Sequence, residues 1–438
     1  MKLLYQHSRV SEKDINTTAQ SLIPYSEYLK QVVENGGYEH HESSINLPSD
    51  EALLDNVREM MEKKSVGKVK YFIVVGIGGP NLGTKAIYDA LLGHFNILEP
   101  ERFPKMIFFD TTHDLFAKHF TKFVNNQLNS KEDFFVSIVS KSGGTTETTA
   151  NAEFVFNALQ QKFSDATDRF VLITDENSKL WKLGEELGID VLSIPEKVGG
   201  RFSVFSAMGL FPLTTCGIDI EKLWQGAINM RDKCIGREIP ENPALISAIL
   251  LFLNNKKGYT TNDNFIFEPE LESVGKWYRQ LIGESIGKEK DEGGNGVHAG
   301  ITPTISIGST DLHSVGQLYL GGPNDKFTTF MWARNTNDDD NSYTLNSETF
   351  TELVPGISGK TFTDIKNAIL EGTKIAYQKQ EIPFMEVILD DISEYSLGQF
   401  LQFKMIEMMY LGKLFNVNTF DQPHVELYKT ETKRILNS

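Results

Sequence analysis

Cysteine is nearly missing: Cys216 and Cys234 are the only two in 438 residues. Two isolated thiols exclude a disulfide framework and a thiolate metal cluster, and they suit a reducing cytoplasm. Basic charge is also short, with 43 Lys and Arg against 59 Asp and Glu, a formal charge of −16. That excess repels phosphodiester backbones and anionic lipid, so neither nucleic acid nor a membrane is expected as a partner. Long apolar runs are absent too. FIVVGIGG and ALISAILLFL fall well short of the roughly twenty residues that span a bilayer. The N-terminal MKLLYQHSRVSEKD turns polar before a signal-peptide core forms. There is no H-E-x-x-H and no acidic metal cluster, since Asp338 to Asn341 reads as solvated loop charge. The G-x-S-x-G elbow of the simplest serine hydrolases is lacking as well.

The length allows two or three domains and a substantial core. From about residue 68 to 195, short β-branched runs (YFIVV, MIFFD, FFVSIV, RFVLITD, VLSIP) alternate with longer amphipathic ones. Strands that read as continuous apolar runs are buried on both faces, which predicts a doubly wound α/β domain around a parallel sheet. Past GGRFSVFSAMGLFPL the rhythm turns helical (NPALISAILLFLNNKK, LESVGKWYRQLIGESIG) and then returns to TPTISIG, KFTTFMW and PFMEVIL. A second, more helical α/β domain is expected, closed by SLGQFLQFKMIEMMYLGKLF and the tail VELYKTETKRILN as helices. The expected division is residues 1–215 and 216–438. KEKDEGGNG near 288–296 and RNTNDDDNS near 334–342 read as exposed loops.

What stands out among the residues present is SKSGGTTETT, directly after FFVSIV and before a helical run. Ser140, Ser142, Thr145, Thr146, Thr148 and Thr149 put many hydroxyls at a strand-to-helix turn, where free backbone N–H groups also converge. That combination holds a phosphate. A plain N-cap is the alternative, but a cap uses one hydroxyl. GIGGPNLGT supplies Gly76, Gly78, Gly79 and Gly83 after another strand. Asn81 stands where the third glycine of a dinucleotide fingerprint belongs, and no Walker lysine follows, so a nucleotide is not indicated. A tight turn with close backbone approach remains, or glycines that serve strand–helix packing.

Arg201, after two glycines in VGGRFS, is either a confined guanidinium for a developing oxyanion or an ordinary paired arginine. Gln280 and Glu284 lie one helical turn apart on one face. A carboxylate there serves as a general base if it is partly desolvated, although most helical glutamates are simply solvated. His313 falls in a strand-to-helix turn with Asp311, whose spacing does not suit a hydrolase relay. A lone histidine is more often structural.

Taken in order, GIGG, SKSGGTTET, GGRFS, QLIGESIGK, TDLHS and FDQPHVELYK resemble the glucose-6-phosphate isomerase family over roughly residues 70–430. The last motif, with Phe420, Asp421, Gln422, Val425, Glu426 and Lys429, is the most specific. The resemblance implies two doubly wound sugar-isomerase (SIS) type domains with a helical C-terminal segment. It also implies a cytoplasmic homodimer that interconverts glucose 6-phosphate and fructose 6-phosphate with no cofactor, neither metal nor nucleotide. On that likeness Ser140, Ser142, Thr145 and Thr148 hold the phosphate, with Lys141, Pro80 and the Gly79 backbone beside them. Glu284 moves the proton, Arg201 stabilises the enediolate, and Lys429 and His313 open the ring, His313 reaching over from the partner subunit. Gln280 and Gln422 contact substrate hydroxyls.

Three positions depart from the family pattern. Pro80 stands where many members have serine, which removes a side-chain contact. His424 replaces a usual glycine and either narrows the site or adds a titratable group. Gly143 and Gly144 replace larger residues of the animal enzymes and loosen the loop. A dual-specificity glucose/mannose 6-phosphate isomerase is the alternative enzyme. A non-catalytic sugar-phosphate-binding regulator is the alternative outside enzymes, and both the retained Glu284, Arg201, His313 and Lys429 and the lack of a helix-turn-helix segment count against it.

Overall fold

The computed structural model describes residues 1–64, 66, 69–235, 241–334, 343–346 and 348–438. The loop expected over 334–342 and the acidic run within it lie, apart from Arg334, outside the described residues. The chain forms two compact units, one from Tyr28–Ile228 and the other from Met1–Glu27 together with Asn229–Ser438. The opening strand β1 (Lys2–Leu4) belongs to the second.

In the 28–228 unit, β2 (Tyr71–Val75), β3 (Lys105–Phe109), β4 (Phe134–Val139), β5 (Phe170–Asp175) and β6 (Asp190–Ile194) form one sheet in the order β3-β2-β4-β5-β6. All four pairings are parallel. The apolar runs dictate this: every residue of β4 is buried. Val136, Ile138, Phe134, Phe170 and Ile73 join Val155 and Leu159 of helix Thr146–Lys162 in one core. Strand order reverses at β2, whose neighbours are β3 and β4, and at such a switch point a crevice opens beyond the carboxyl ends of the strands.

The other unit holds β7 (Thr261–Ile266), β8 (Lys288–Lys290), β9 (Gly296–Ala299), β10 (Thr302–Ile307), β11 (Lys326–Ala333) and β12 (Phe384–Leu389). Its main sheet runs β1-β12-β11-β7-β10, parallel except for the antiparallel edge strand β1. The expected strands TPTISI, KFTTFMWA and FMEVIL are present as β10, β11 and β12. The interior strand β7, between β11 and β10, is an addition, because TNDNFI carries no apolar run. Its Asn262, Asp263 and Asn264 are buried and bonded sideways: Asn262 Nδ2 donates to the Phe327 carbonyl at 2.8 Å. Asp263 Oδ1 accepts from Thr304 Oγ1 (2.6 Å), Ser306 Oγ (3.0 Å) and Tyr319 OH (2.9 Å). Burial holds the Asp263 carboxyl above the ordinary range despite these donors.

The segment expected as a loop near 288–296 is instead a two-stranded antiparallel ribbon, β8 with β9. Asp291 makes its turn by accepting the Asn295 N–H at 2.8 Å, and ladder pairing of Lys288 with Ala299 and of Lys290 with Gly296 organises a stretch with no apolar core of its own.

The long helices form where the apolar periodicity places them, as Pro243–Lys256, Glu272–Ile286 and Glu394–Phe415. The last is buried along most of its length. It can carry Lys404 and Glu407 inside because they pair at 2.8 Å and because Tyr278 OH donates to Glu407 Oε2 at 2.9 Å.

Candidate functional site

Two loops leave the switch point of the 28–228 sheet side by side, since β2 and β4 are in register from Tyr71–Phe134 to Val75–Ile138. After β4 the chain runs through Ser140–Thr145 into helix Thr146–Lys162. Ser140 and Thr148 are buried, Lys141 and Thr145 half-buried, and Ser142 exposed. Gly143 turns the chain at φ +65°, and its N–H donates to the Ser140 carbonyl at 3.2 Å. A side chain there would meet the Leu180 nitrogen at 2.6 Å, so only glycine fits. The two glycines, read as loosening the loop, include one that the packing requires.

Thr145 occupies the cap position, yet its side chain makes no capping bond. Its Oγ1 lies 3.2 Å from Ser140 Oγ instead. The first-turn N–H groups are therefore left unclaimed by the cap side chain, and two hydroxyls are paired at the same turn, an arrangement that suits an anion better than a plain N-cap does. Thr174 at the end of β5 braces the loop from below: its buried hydroxyl donates to the Ser140 carbonyl (2.7 Å) and touches Ser178 Oγ (2.8 Å). Sequence reading missed Thr174, whose only signal was a hydroxyl closing an apolar strand. Lys141 points away from the hydroxyls, with its ammonium donating to the Glu196 carbonyl beyond β6.

The glycine turn after β2 starts helix Gly79–Leu92, with Gly78 at φ +70° and Pro80 in the first turn, where no N–H is needed. Gly79 has no room for a side chain: a Cβ would fall 2.1 Å from the Gly200 carbonyl carbon. That backbone contact seats GIGG against GGRFS and brings Arg201 to the same end of the sheet. Arg201 is 2 % exposed, and its guanidinium sits 5.3 Å from the Phe202 ring centre. An arginine so desolvated is confined, as the flanking glycines suggested.

In the other unit, Gln280 and Glu284 share a face of helix Glu272–Ile286, and Gln280 Nε2 donates to Glu284 Oε1 at 3.1 Å. The amide thus orients the half-buried carboxylate. His313 ends the short turn Thr310–His313 after β10 and is exposed. Asp311 does not serve it: that carboxylate accepts the Ile307 N–H and the Ser314 hydroxyl, each at 2.7 Å.

Lys429 lies on helix Val425–Leu436, paired with Glu426 at 2.7 Å, and Gln422 precedes that helix, exposed. The motif is tied down by the buried Lys288, which pairs with Asp421 at 2.8 Å and which sequence reading passed over. His424 bonds Glu289 Oε2 at 2.8 Å on the exposed surface.

Known proteins match this arrangement along nearly the whole chain. A glucose-6-phosphate isomerase of Methanocaldococcus jannaschii is 34 % identical over 374 residues, covering 85 % of this chain and 86 % of that one. One from Carboxydothermus hydrogenoformans is 31 % identical over 98 % of this chain and 92 % of its own. Among solved structures, a hypothetical protein of Thermus thermophilus superposes with a TM-score of 0.86 at 26 % identity, covering all of both chains. A glucose-6-phosphate isomerase of Chlamydia trachomatis shares the fold, with a TM-score of 0.83 at 21 % identity over 99 % of this chain and 88 % of that one. Residues 45–438 match the family described as phosphoglucose isomerase, and the chain belongs to that family.

Proposed function

We propose that this chain interconverts glucose 6-phosphate and fructose 6-phosphate, working as a homodimer in the cytoplasm. The observation that carries the reading is that helix Thr146–Lys162 starts without a side-chain cap bond while the Thr145 hydroxyl pairs with that of Ser140, together with the family match. Ser140, Ser142, Thr145 and Thr148 grip the phosphate with the Gly79 backbone, and Pro80 lines the turn without adding a side-chain bond. Lys141 contributes positive charge behind the loop. Lys429 and His313 exchange protons to open the sugar ring, with His313 supplied by the partner subunit.

Glu284 takes the proton from C2, Arg201 balances the enediolate oxygens, and Glu284 returns the proton to C1. Gln280 holds Glu284 in register, and Gln280 and Gln422 bond sugar hydroxyls. A base for the C–H bond, a cation for the oxyanion and an acid for ring opening make up the whole requirement of the reaction. Glucose 6-phosphate formation from fructose 6-phosphate, followed through a coupled dehydrogenase, tests the reading, and lack of conversion by folded protein refutes it. Glu284→Gln is expected to keep substrate affinity and lose about 10²–10⁴ in kcat. Near-normal turnover in that variant would reassign the base.

A further inference from the structure

The segment after helix Glu394–Phe415 carries Gln422 and leads into helix Val425–Leu436, which carries Lys429. Burial fixes its near half, through Val417 and Thr419. Beyond them, residues 421–424 are exposed, and helix Val425–Leu436 has no buried residue. Two side chains of β8 reach this turn. Lys288 Nζ donates to the Asp421 carbonyl and to Asp421 Oδ1, the latter at 2.8 Å. Glu289 Oε2 meets His424 Nε2 at 2.8 Å. Further along the ribbon, the Glu292 N–H donates to the Asn416 carbonyl at 2.8 Å.

Of the two side-chain holds, Lys288 is the stiffer. It is 6 % exposed, whereas Glu289 and His424 both stand in solvent. If Asp421 moved away, the ammonium would lose two acceptors while still desolvated, so the energy rises steeply over a small displacement. Water takes over the bonds of an exposed pair, which therefore resists displacement weakly. The other end of the lysine is equally constrained. It stands four residues after Glu284 and directly after Gly287, whose N–H closes helix Glu272–Ile286 on the Gly283 carbonyl at 3.1 Å. Lys288 thus runs from the helix that carries Glu284 to the segment that carries Gln422 and Lys429, all within one unit. Such a strut sets the distance between the two groups of side chains, a quantity on which rate depends steeply.

We infer that Lys288 is a positioning residue for ring opening, holding Gln422 and Lys429 in register with Glu284 through Asp421. This role rests on the isomerase reading proposed above.

Lys288→Met, Asp421→Asn and Lys374→Met, assayed with glucose 6-phosphate bearing hydrogen or deuterium at C2, test it. Lys374 has no role in the reaction and forms a buried pair with Glu386 at 3.0 Å in the same unit, so it controls for the loss of a buried cation. Per folded molecule, Lys288→Met should lower kcat about 10- to 100-fold. It should also bring the primary isotope effect closer to one, because slowed ring opening hides the C–H step. Asp421→Asn should move both in the same direction by less, since the Asp421 carbonyl still accepts from Lys288. Lys374→Met should melt lower and leave both unchanged per folded molecule. If Lys288→Met does not fold, as judged by its melting transition, Asp421→Asn carries the test. The role is overturned if the variants at the strut keep wild-type kcat, if their isotope effect equals or exceeds that of the wild type, or if Lys374→Met matches them. Failure of the folded wild type to convert either sugar phosphate is a different outcome, which refutes the isomerase reading and the role together.

Discussion

The two sheets are the same arrangement used in opposite ways. Counted within each unit, β3-β2-β4-β5-β6 and β10-β7-β11-β12-β1 both put the second strand outside the first, then the third, fourth and a closing strand. The closing strand is the parallel β6 in one and the antiparallel N-terminal β1 in the other. The switch point falls between β2 and β4 in the first sheet and between β7 and β11 in the second.

At the first, glycines and hydroxyls leave the first-turn N–H groups of helix Thr146–Lys162 without a side-chain cap. At the second, the buried Glu268 fills the place from within, accepting the Ala333 N–H at 3.1 Å and the Lys366 ammonium. Burial keeps that carboxyl above its ordinary range even against the pull of Lys366. A parallel sheet presents an anion-seeking crevice wherever its order reverses. Whether the crevice becomes a ligand site depends on whether the chain supplies the anion itself.

Substitutions at equivalent places should separate the two uses. The largest effect is expected from Gly79→Ala. Its methyl group must displace the Gly200 backbone, so a loss of about 3 kcal/mol or more in denaturant-measured stability is expected, together with activity. Wild-type stability would show that the GIGG–GGRFS contact gives way. At the other crevice, Glu268→Ala strips Ala333 and Lys366 of their acceptor and should cost about 2–3 kcal/mol with KM unchanged. A raised KM there would mean that crevice also touches substrate.

Smaller still, Thr174→Val removes the brace under Ser140. KM should rise about tenfold while kcat holds, and Thr174→Ser should restore it. Asp175→Asn gives the smallest effect. Desolvation first, and Glu196 after it, push the Asp175 carboxyl up to about 6, with Lys141 opposing. The folded state thus binds that proton more tightly than the unfolded chain. The ionised group costs stability above pH 6, and the cost fades as pH falls from about 6 toward 4. The variant should therefore melt higher than wild type at pH 7.5, with the gap closing near pH 4. A gap independent of pH would refute the assignment.

Much of the first sheet was legible because its strands are apolar on both faces, as FFVSIV shows. β7 was not, since Asn262, Asp263 and Asn264 mimic a loop until partners from β10 and β11 supply their hydrogen bonds. The ribbon β8–β9 was hidden for a related reason, because its cross-strand pairing leaves no periodic apolar trace. Ser140, Thr145, Arg201, Gln280 and Glu284 were visible as residue types at telling spacings. Thr174 and Lys288 were not, because each acts through backbone or side chains distant along the chain.

Taken alone, the sequence determined that buried parallel strands alternate with helices, that hydroxyls and glycines gather at strand-to-helix turns, and which family those motifs resemble. These are local properties, set by side-chain volume, polarity and spacing. Only the tertiary structure decided that Thr145 turns to Ser140 instead of capping its helix, that Gly79 rests on Gly200, that β1 closes a sheet with β12, and that Glu268 fills the second crevice. The first depends on how the loop folds back on itself and the others on atoms far apart in the chain coming into contact, and a linear pattern does not encode distance.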